Sequence, residues 1–113
     1  MVFYFKTLNS GSIPAGGTVT KDWTADKDYT IKKVLVVNKG TATIDKVDLT
    51  IQFADNFKTL DYVNAYPLAV DLEHAWEPNE PLPKGSRVVI SFKNNDGTNA
   101  AQVDFVLLLE AQY

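Results

Sequence analysis

The stretch GSIPAGGT, Gly11 to Thr18, has the outline of a loop that cradles phosphate: two spaced glycines with a threonine behind them. Such a loop needs a lysine after its second glycine to reach the phosphates. It also needs a helix next, so that the helix amino terminus faces the anion. Here Gly17 stands in the lysine's place, and TVTKDWT follows with the alternation of a strand. Both the chemistry and the context fail, so no nucleotide-dependent activity is expected. His74 is the single histidine. A nucleophile–histidine–carboxylate arrangement needs a neighbouring nucleophile. LEHAW supplies Glu73 but no nucleophile motif, so His74 reads as a surface or edge residue. Asp26 and Asp28 in ADKD, and Asn94, Asn95, Asp96 and Asn99 in NNDGTN, offer hard oxygen ligands of the kind calcium takes. Neither cluster follows the spacing of a twelve-residue calcium loop, and Asn, Asp and Gly make tight turns unaided. Turns are expected, with no metal and no other cofactor. Without a nucleophile, base or metal constellation, the chain is not expected to be an enzyme.

Trp23, Tyr29, Tyr62, Tyr66 and Trp76 are rings that could stack on a sugar. Trp23 reads as core, because aromatic side chains carry large buried areas. Trp76 lies beside the proline-rich EPNEPLP, and Tyr62 and Tyr66 lie in the least regular part of the sequence. An exposed aromatic on a loop is a binding hot spot, so Tyr62, Tyr66 and Trp76 are the candidates for contact with a glycan or protein partner.

The elements that must carry these residues are strands. The hydrophobic period is two almost throughout. KVDLTIQF places Val47, Leu49, Ile51 and Phe53 on one face, and RVVISFK does the same with Val88, Ile90 and Phe92. In QVDFVLLLE the inward set is Val103, Phe105, Leu107 and Leu109. GTVTKDWTA alternates too, and YTIKKVLVVNK is rich in β-branched residues and apolar on both sides after Lys33. Turn signals (NSGS, ADKD, NKGT, ADN, EPNEPLPKG, NNDGTN) separate the runs. Within residues 54–80 a helical turn is expected near Asn56–Tyr62, limited by Pro67, with LAVDLE returning to strand. About eight short strands with little helix predict one all-β domain over residues 1–113: an antiparallel β-sandwich of the jelly-roll kind.

The 113 residues are enough for one domain with a real core, and a net charge of −3 with a single arginine, Arg87, argues against nucleic acid. There are no cysteines, so neither disulfides nor thiolate metal sites are available. No apolar run approaches the ~20 residues of a membrane helix. MVFYFKTLNS lacks the basic leader and long apolar region of a signal peptide, so a soluble chain that starts with its first strand is expected.

One turn is written twice. Ile13-Pro14-Ala15-Gly16 leads into Thr18-Val19, and Leu82-Pro83-Lys84-Gly85 leads into Arg87-Val88. Both read as type I turns that redirect the chain into a strand, with the apolar residue tucked under a sheet. IPAGGTVTKDWTADKDYTIKKVLVV and LPKGSRVVISFKNNDGTNAAQVDFVLLLE together resemble single jelly-roll virion proteins of tailless viruses and phages. These are the capsid vertex, turret, spike and decoration types. The resemblance implies a noncatalytic structural role in the virion, a homo-oligomer and contact with other capsid proteins. Carbohydrate-binding sandwich modules share much of the same style and supply the alternative function.

Two strands carry a parity problem. In VDFVLLLEAQY, Val106 and Leu108 face away from Phe105, Leu107 and Leu109, and in MVFYFKTL both faces are apolar, with Val2 and Tyr4 against Phe3 and Phe5. A strand of a lone two-layer sandwich should have one wet face. Phe3, Phe5, Val106 and Leu108 are therefore candidates for an oligomer interface. The other reading is cover by residues 54–80 of the same chain.

Overall fold

In a computed structural model that describes residues 2–111, nine strands form two antiparallel sheets. The strands are β1 (Val2–Asn9), β2 (Thr18–Thr24), β3 (Tyr29–Asn38), β4 (Val47–Phe53), β5 (Asn56–Phe57), β6 (Val63–Asn64), β7 (Glu80–Leu82), β8 (Arg87–Asn94) and β9 (Val103–Ala111). The first sheet has the order β1-β9-β3-β7. The second has the order β2-β8-β4-β5, with β6 also paired to β4. From β1 to β4 the chain crosses between the sheets at every step, and it crosses again at β7, β8 and β9. This is the jelly-roll wind. The β5 and β6 pieces lie along the same edge of β4, so they are two halves of one interrupted strand.

The period-two pattern decides which residues meet between the sheets. Val47, Leu49, Ile51 and Phe53 of β4 are buried, as are Val88, Ile90 and Phe92 of β8 and Val103, Phe105, Leu107 and Leu109 of β9. In β3 the parity changes midway. The register against β9 shifts between Ile31, opposite Leu109, and Lys33, opposite Leu108. Lys32 and Lys33 form a bulge, so that Ile31 and Val34 can both point inward although three residues apart in the sequence.

Both repeated turns hold their apolar residue fully buried, at Ile13 and Leu82. They close as Gly17 N to Pro14 O (2.8 Å) and Ser86 N to Pro83 O (3.0 Å). Proline is thus the first residue of each turn. The third residues, Gly16 (φ 74°) and Gly85 (φ 87°), are left-handed. These are type II turns, not the type I expected, because glycine at the third place removes the penalty on positive φ. The amides of the GSIPAGGT loop serve the fold: Gly16 donates to Asp96 O (3.1 Å) and Gly17 to Pro14 O. Strand β2 follows, with no helix end to face an anion.

The segment between β4 and β8 departs most from expectation. No helical turn forms over Asn56–Tyr62. Those residues turn the chain back along β4, and the 3-10 turn lies at Tyr66–Leu68 with Pro67 in its first positions, where a missing N–H costs nothing. LAVDLE is not a strand; its residues lie in turns and bends. A strand appears instead inside EPNEPLPKG as β7, whose Pro81 is tolerated because β7 is a sheet edge.

The two open sides of the sandwich are closed by rings. Between β1 and β2, Tyr4 meets Tyr29 edge-on (centroids 6.1 Å) and Trp23 meets Tyr29 at a tilt (5.6 Å). Lys6 Nζ sits 5.5 Å above Trp23 and Lys27 Nζ 4.9 Å above Tyr4. On the other side Trp76 stacks on Phe53 at 5.8 Å and its carbonyl accepts Val34 N (2.8 Å). Buried Tyr29 donates its hydroxyl to Asp26 (2.6 Å). Burial first, and then this hydrogen bond, push the phenol from 10.0 up to about 12. In the unfolded chain the phenol ionises near 10. Its raised folded value therefore contributes stability that is complete below pH ~10 and is lost as pH rises through ~12. Urea midpoints measured from pH 9 to 12 should fall more steeply for the native protein than for Tyr29→Phe. Parallel curves would show that the tyrosine is not held in its neutral form.

Candidate subunit interface

Outward positions of the first sheet come from three neighbouring strands. Cross-strand partners share a face. Phe5 lies opposite Leu108 and Thr7 opposite Val106. On the other flank, Lys33 lies opposite Leu108 and Leu35 opposite Val106, with Val37 next along β3. The face thus gathers Phe3, Phe5, Leu35, Val37, Val106 and Leu108. Phe3 is 55 % exposed and Phe5 63 %. Val106 and Leu108 are half-buried, because β9 is an inner strand and its neighbours' side chains flank them. Residues 72–76 reach the β3 edge, where Lys33 Nζ donates to Leu72 O (2.9 Å) and Val34 N to Trp76 O. They leave Phe3 and Phe5 open.

The second sheet's outer face has the opposite character. Asp48, Thr50 and Gln52 of β4 lie across from Lys93, Ser91 and Val89 of β8, and Thr18, Thr20 and Asp22 of β2 continue the row. Thr20 and Ser91 hydroxyls are 2.9 Å apart, and Arg87 donates to Asp22 at 2.9 Å. One face of the molecule is a polar lattice, while on the other a stripe of aromatic and branched side chains runs between Lys33, Asp104 and Glu110.

The other ring candidates lie between β4 and β7. Tyr62 lies under Lys93 Nζ (5.4 Å to the ring) beside the polar face, Tyr66 is 63 % exposed on the 3-10 turn, and Trp76 is half-buried against Phe53. Trp76 helps to line an apolar groove of about 260 Å³ with Ile51, Val63, Pro67 and Leu68, at the break between β5 and β6. His74 is exposed on a turn, with Nδ1 2.7 Å from Asp71 Oδ1, and the His74 amide also donates to that carboxylate (3.0 Å). These bonds hold the Asp71 carboxyl below its usual range. Reading the sequence found Glu73 beside His74 but missed Asp71, three residues back, where a turn brings side chains together. Asp26 is held low by the Tyr29 hydroxyl, and Asp96 by the amides of Asn99 and Thr98.

Leu35 and Val37 were also missed. Their signal is the KKVLVVN run, which becomes outward-facing at those positions only once the bulge at Lys32–Lys33 is known. Phe57 (68 % exposed) and Leu60 (109 %) lie in the segment whose structure the periodicity did not resolve. Among the described residues no helix is long and apolar enough to cross a membrane. No protein-family model matches the chain, and a search of curated proteins finds no match.

Proposed function

We propose that the protein is a noncatalytic structural component, an oligomeric single jelly-roll building block of a virion, whose copies meet through the outer face of the β1-β9-β3-β7 sheet. The observation that carries this reading is the contrast between the two outer faces. Water satisfies a lattice of Thr, Ser, Gln and charged groups, but Phe3, Phe5, Val106 and Leu108 side by side form a patch that soluble monomers avoid. A second copy laid on that face removes the liability. The jelly-roll wind and the paired Pro-x-Gly turns into β2 and β8 are what the chain shares in style with capsid-associated proteins, and they give the reading its virion setting.

Light scattering and native mass measurements of the purified chain test the reading. An oligomer of defined size is expected. Val106→Lys and Leu108→Glu, singly or together, should release folded monomers with an unchanged β-sheet circular dichroism spectrum. If the native chain is already monomeric and these substitutions unfold it, the face is covered by its own chain and the assembly reading is wrong.

A further inference from the structure

From its geometry we infer that β1 is a strand-addition edge, and that its occupant is β1 of a second copy, paired antiparallel about a two-fold axis through Phe5. This rests on the self-association proposed above and specifies a second contact at right angles to the face. The two sheets leave four edges: β1, β7, β2 and the β5/β6 pair. Three of them are blunted in recognised ways. Strand β7 has three residues, including Pro81, which lacks an N–H. The β5/β6 edge is broken, and the gap is sealed from within: Lys58 N donates to Ile51 O (2.8 Å), and Ile51 N to the Thr59 hydroxyl (3.3 Å). Strand β2 carries Lys21 and Asp22 at its middle. Strand β1 runs for eight residues, VFYFKTLN, with one charge, Lys6, whose ammonium is drawn over Trp23.

The ladder fixes which groups of β1 are free. Ser10 N donates to Val103 O (2.9 Å), while Lys39 N takes Gln102 O (2.8 Å) on the β3 side. Odd-numbered residues of β9 therefore bond toward β1, and even-numbered residues of β1 bond back to them. The N–H and C=O groups of Phe3, Phe5 and Thr7 point away, into the open edge. A second β1 presents the same odd set, so bonded pairs must join odd to odd. With the axis at Phe5, the bonded pairs are Phe5–Phe5 and Phe3–Thr7, Tyr4 faces Lys6, and Val2 faces Leu8. Shifting the axis to Lys6 would set two ammonium groups opposite each other. Shifting it to Tyr4 or to Thr7 would shorten the ladder within the strand to residues 2–6 or 5–9, against 2–8 with the axis at Phe5. The register centred on Phe5 is thus the one that pairs the longest run of the strand without setting like charges opposite each other. Because odd residues point outward in both copies, the two stripes of phenylalanine become one continuous outer face.

The chain has no cysteine, so single cysteines report this register without background. In a bonded antiparallel pair the Cα atoms lie about 5.5 Å apart, inside the range a disulfide spans. Phe5→Cys should give a covalent dimer on mild oxidation. Phe3→Cys and Thr7→Cys should each fail alone yet form a heterodimer when mixed. In the unmodified protein, hydrogen exchange at the Phe3, Phe5 and Thr7 amides should slow by at least about tenfold in the assembled state. The inference is overturned if the chain is monomeric with these amides exchanging freely. It is equally overturned by an oligomer in which they exchange freely and the mixed cysteines do not join. That second outcome leaves the face contact standing. An oligomer that survives Val106→Lys and Leu108→Glu while the mixed cysteines join would sink the face contact and leave the edge.

Discussion

Leu49→Ala or Ile90→Ala should destabilise the fold by about 2–5 kcal/mol, read from the shift in urea midpoint. Both side chains are fully buried. They lie on adjacent strands, with Leu49 opposite Phe92 and Ile90 opposite Ile51. The cost depends on how far the surroundings can collapse into the space. Here they can do so little, because β8 is pinned between β2 and β4, and β4 between β8 and the β5/β6 pieces. The hydrogen-bonded backbones hold their spacing, so a shortened side chain leaves a void facing the other sheet. Thr50→Ala, one residue along β4 on the outward face, should stay within about 0.5 kcal/mol of the native protein. Losses below about 0.5 kcal/mol at both Leu49 and Ile90 would mean that the faces have been assigned backwards. Since domains of this kind hold about 5–15 kcal/mol in total, one such substitution removes a large share.

Asn94→Ala should cost a comparable amount, about 2–5 kcal/mol, through polar chemistry instead of volume. Asn94 ends β8 and is fully buried. Its Nδ2 donates toward Ile13 O (3.2 Å), Pro14 O (3.3 Å) and Asn99 O (2.9 Å), while its Oδ1 accepts the Asp96 amide (2.9 Å). One side chain thereby ties the first Pro-x-Gly turn to the 94–99 loop. Ile13 O keeps its bond from Ala101 N and Pro14 O its bond from Gly17 N. The groups orphaned by alanine are therefore Asn99 O and Asp96 N. Asn94→Asp separates this account from a packing effect. It keeps the shape and the acceptor for Asp96 N but turns an anion toward the carbonyls, so at neutral pH it should be at least as damaging. An aspartate variant as stable as the native protein would show that volume, not hydrogen bonding, holds the loop.

The alternation of apolar and polar residues made β4, β8 and β9 legible because each has one wet and one dry face, or an inward row that is apolar without a gap. The same rule failed where pairing is short or irregular. The bulge at Lys32–Lys33 turns the parity of β3 by one residue, and only its partner β9 specifies that shift. Strands β5 and β6 have two residues each, too few to show a period, and β7 carries a proline that reads as turn. Asn94 looked like one more turn residue, because nothing local marks it as the point where two distant loops are joined. At the interface, Phe3, Phe5, Val106 and Leu108 could be singled out by parity alone. That Phe3 and Phe5 stay open could not, since it depends on the path of residues 54–80 in space.

The order of the sheets also has a consequence for how the chain is made. Strand β9 lies between β1 and β3, and β8 between β2 and β4, so the last two of the nine described strands to be synthesised are the ones that join the earlier strands into sheets. A nascent chain that has reached Pro83 holds β1, β2, β3 and β4 but none of the ladders that join β1 to β3 or β2 to β4. The strand pairings left to it are the short ones of β3 with β7 and of β4 with β5 and β6, and its core stays open until residues 87–111 have left the ribosome. Folding is therefore dominated by contacts between distant parts of the chain, which makes it slow, on the order of milliseconds to seconds. A fragment ending at Pro83 should give the circular dichroism of an unfolded chain. During that interval β1 is exposed to every other nascent β1 on the same polysome, and the protein depends most on chaperones then.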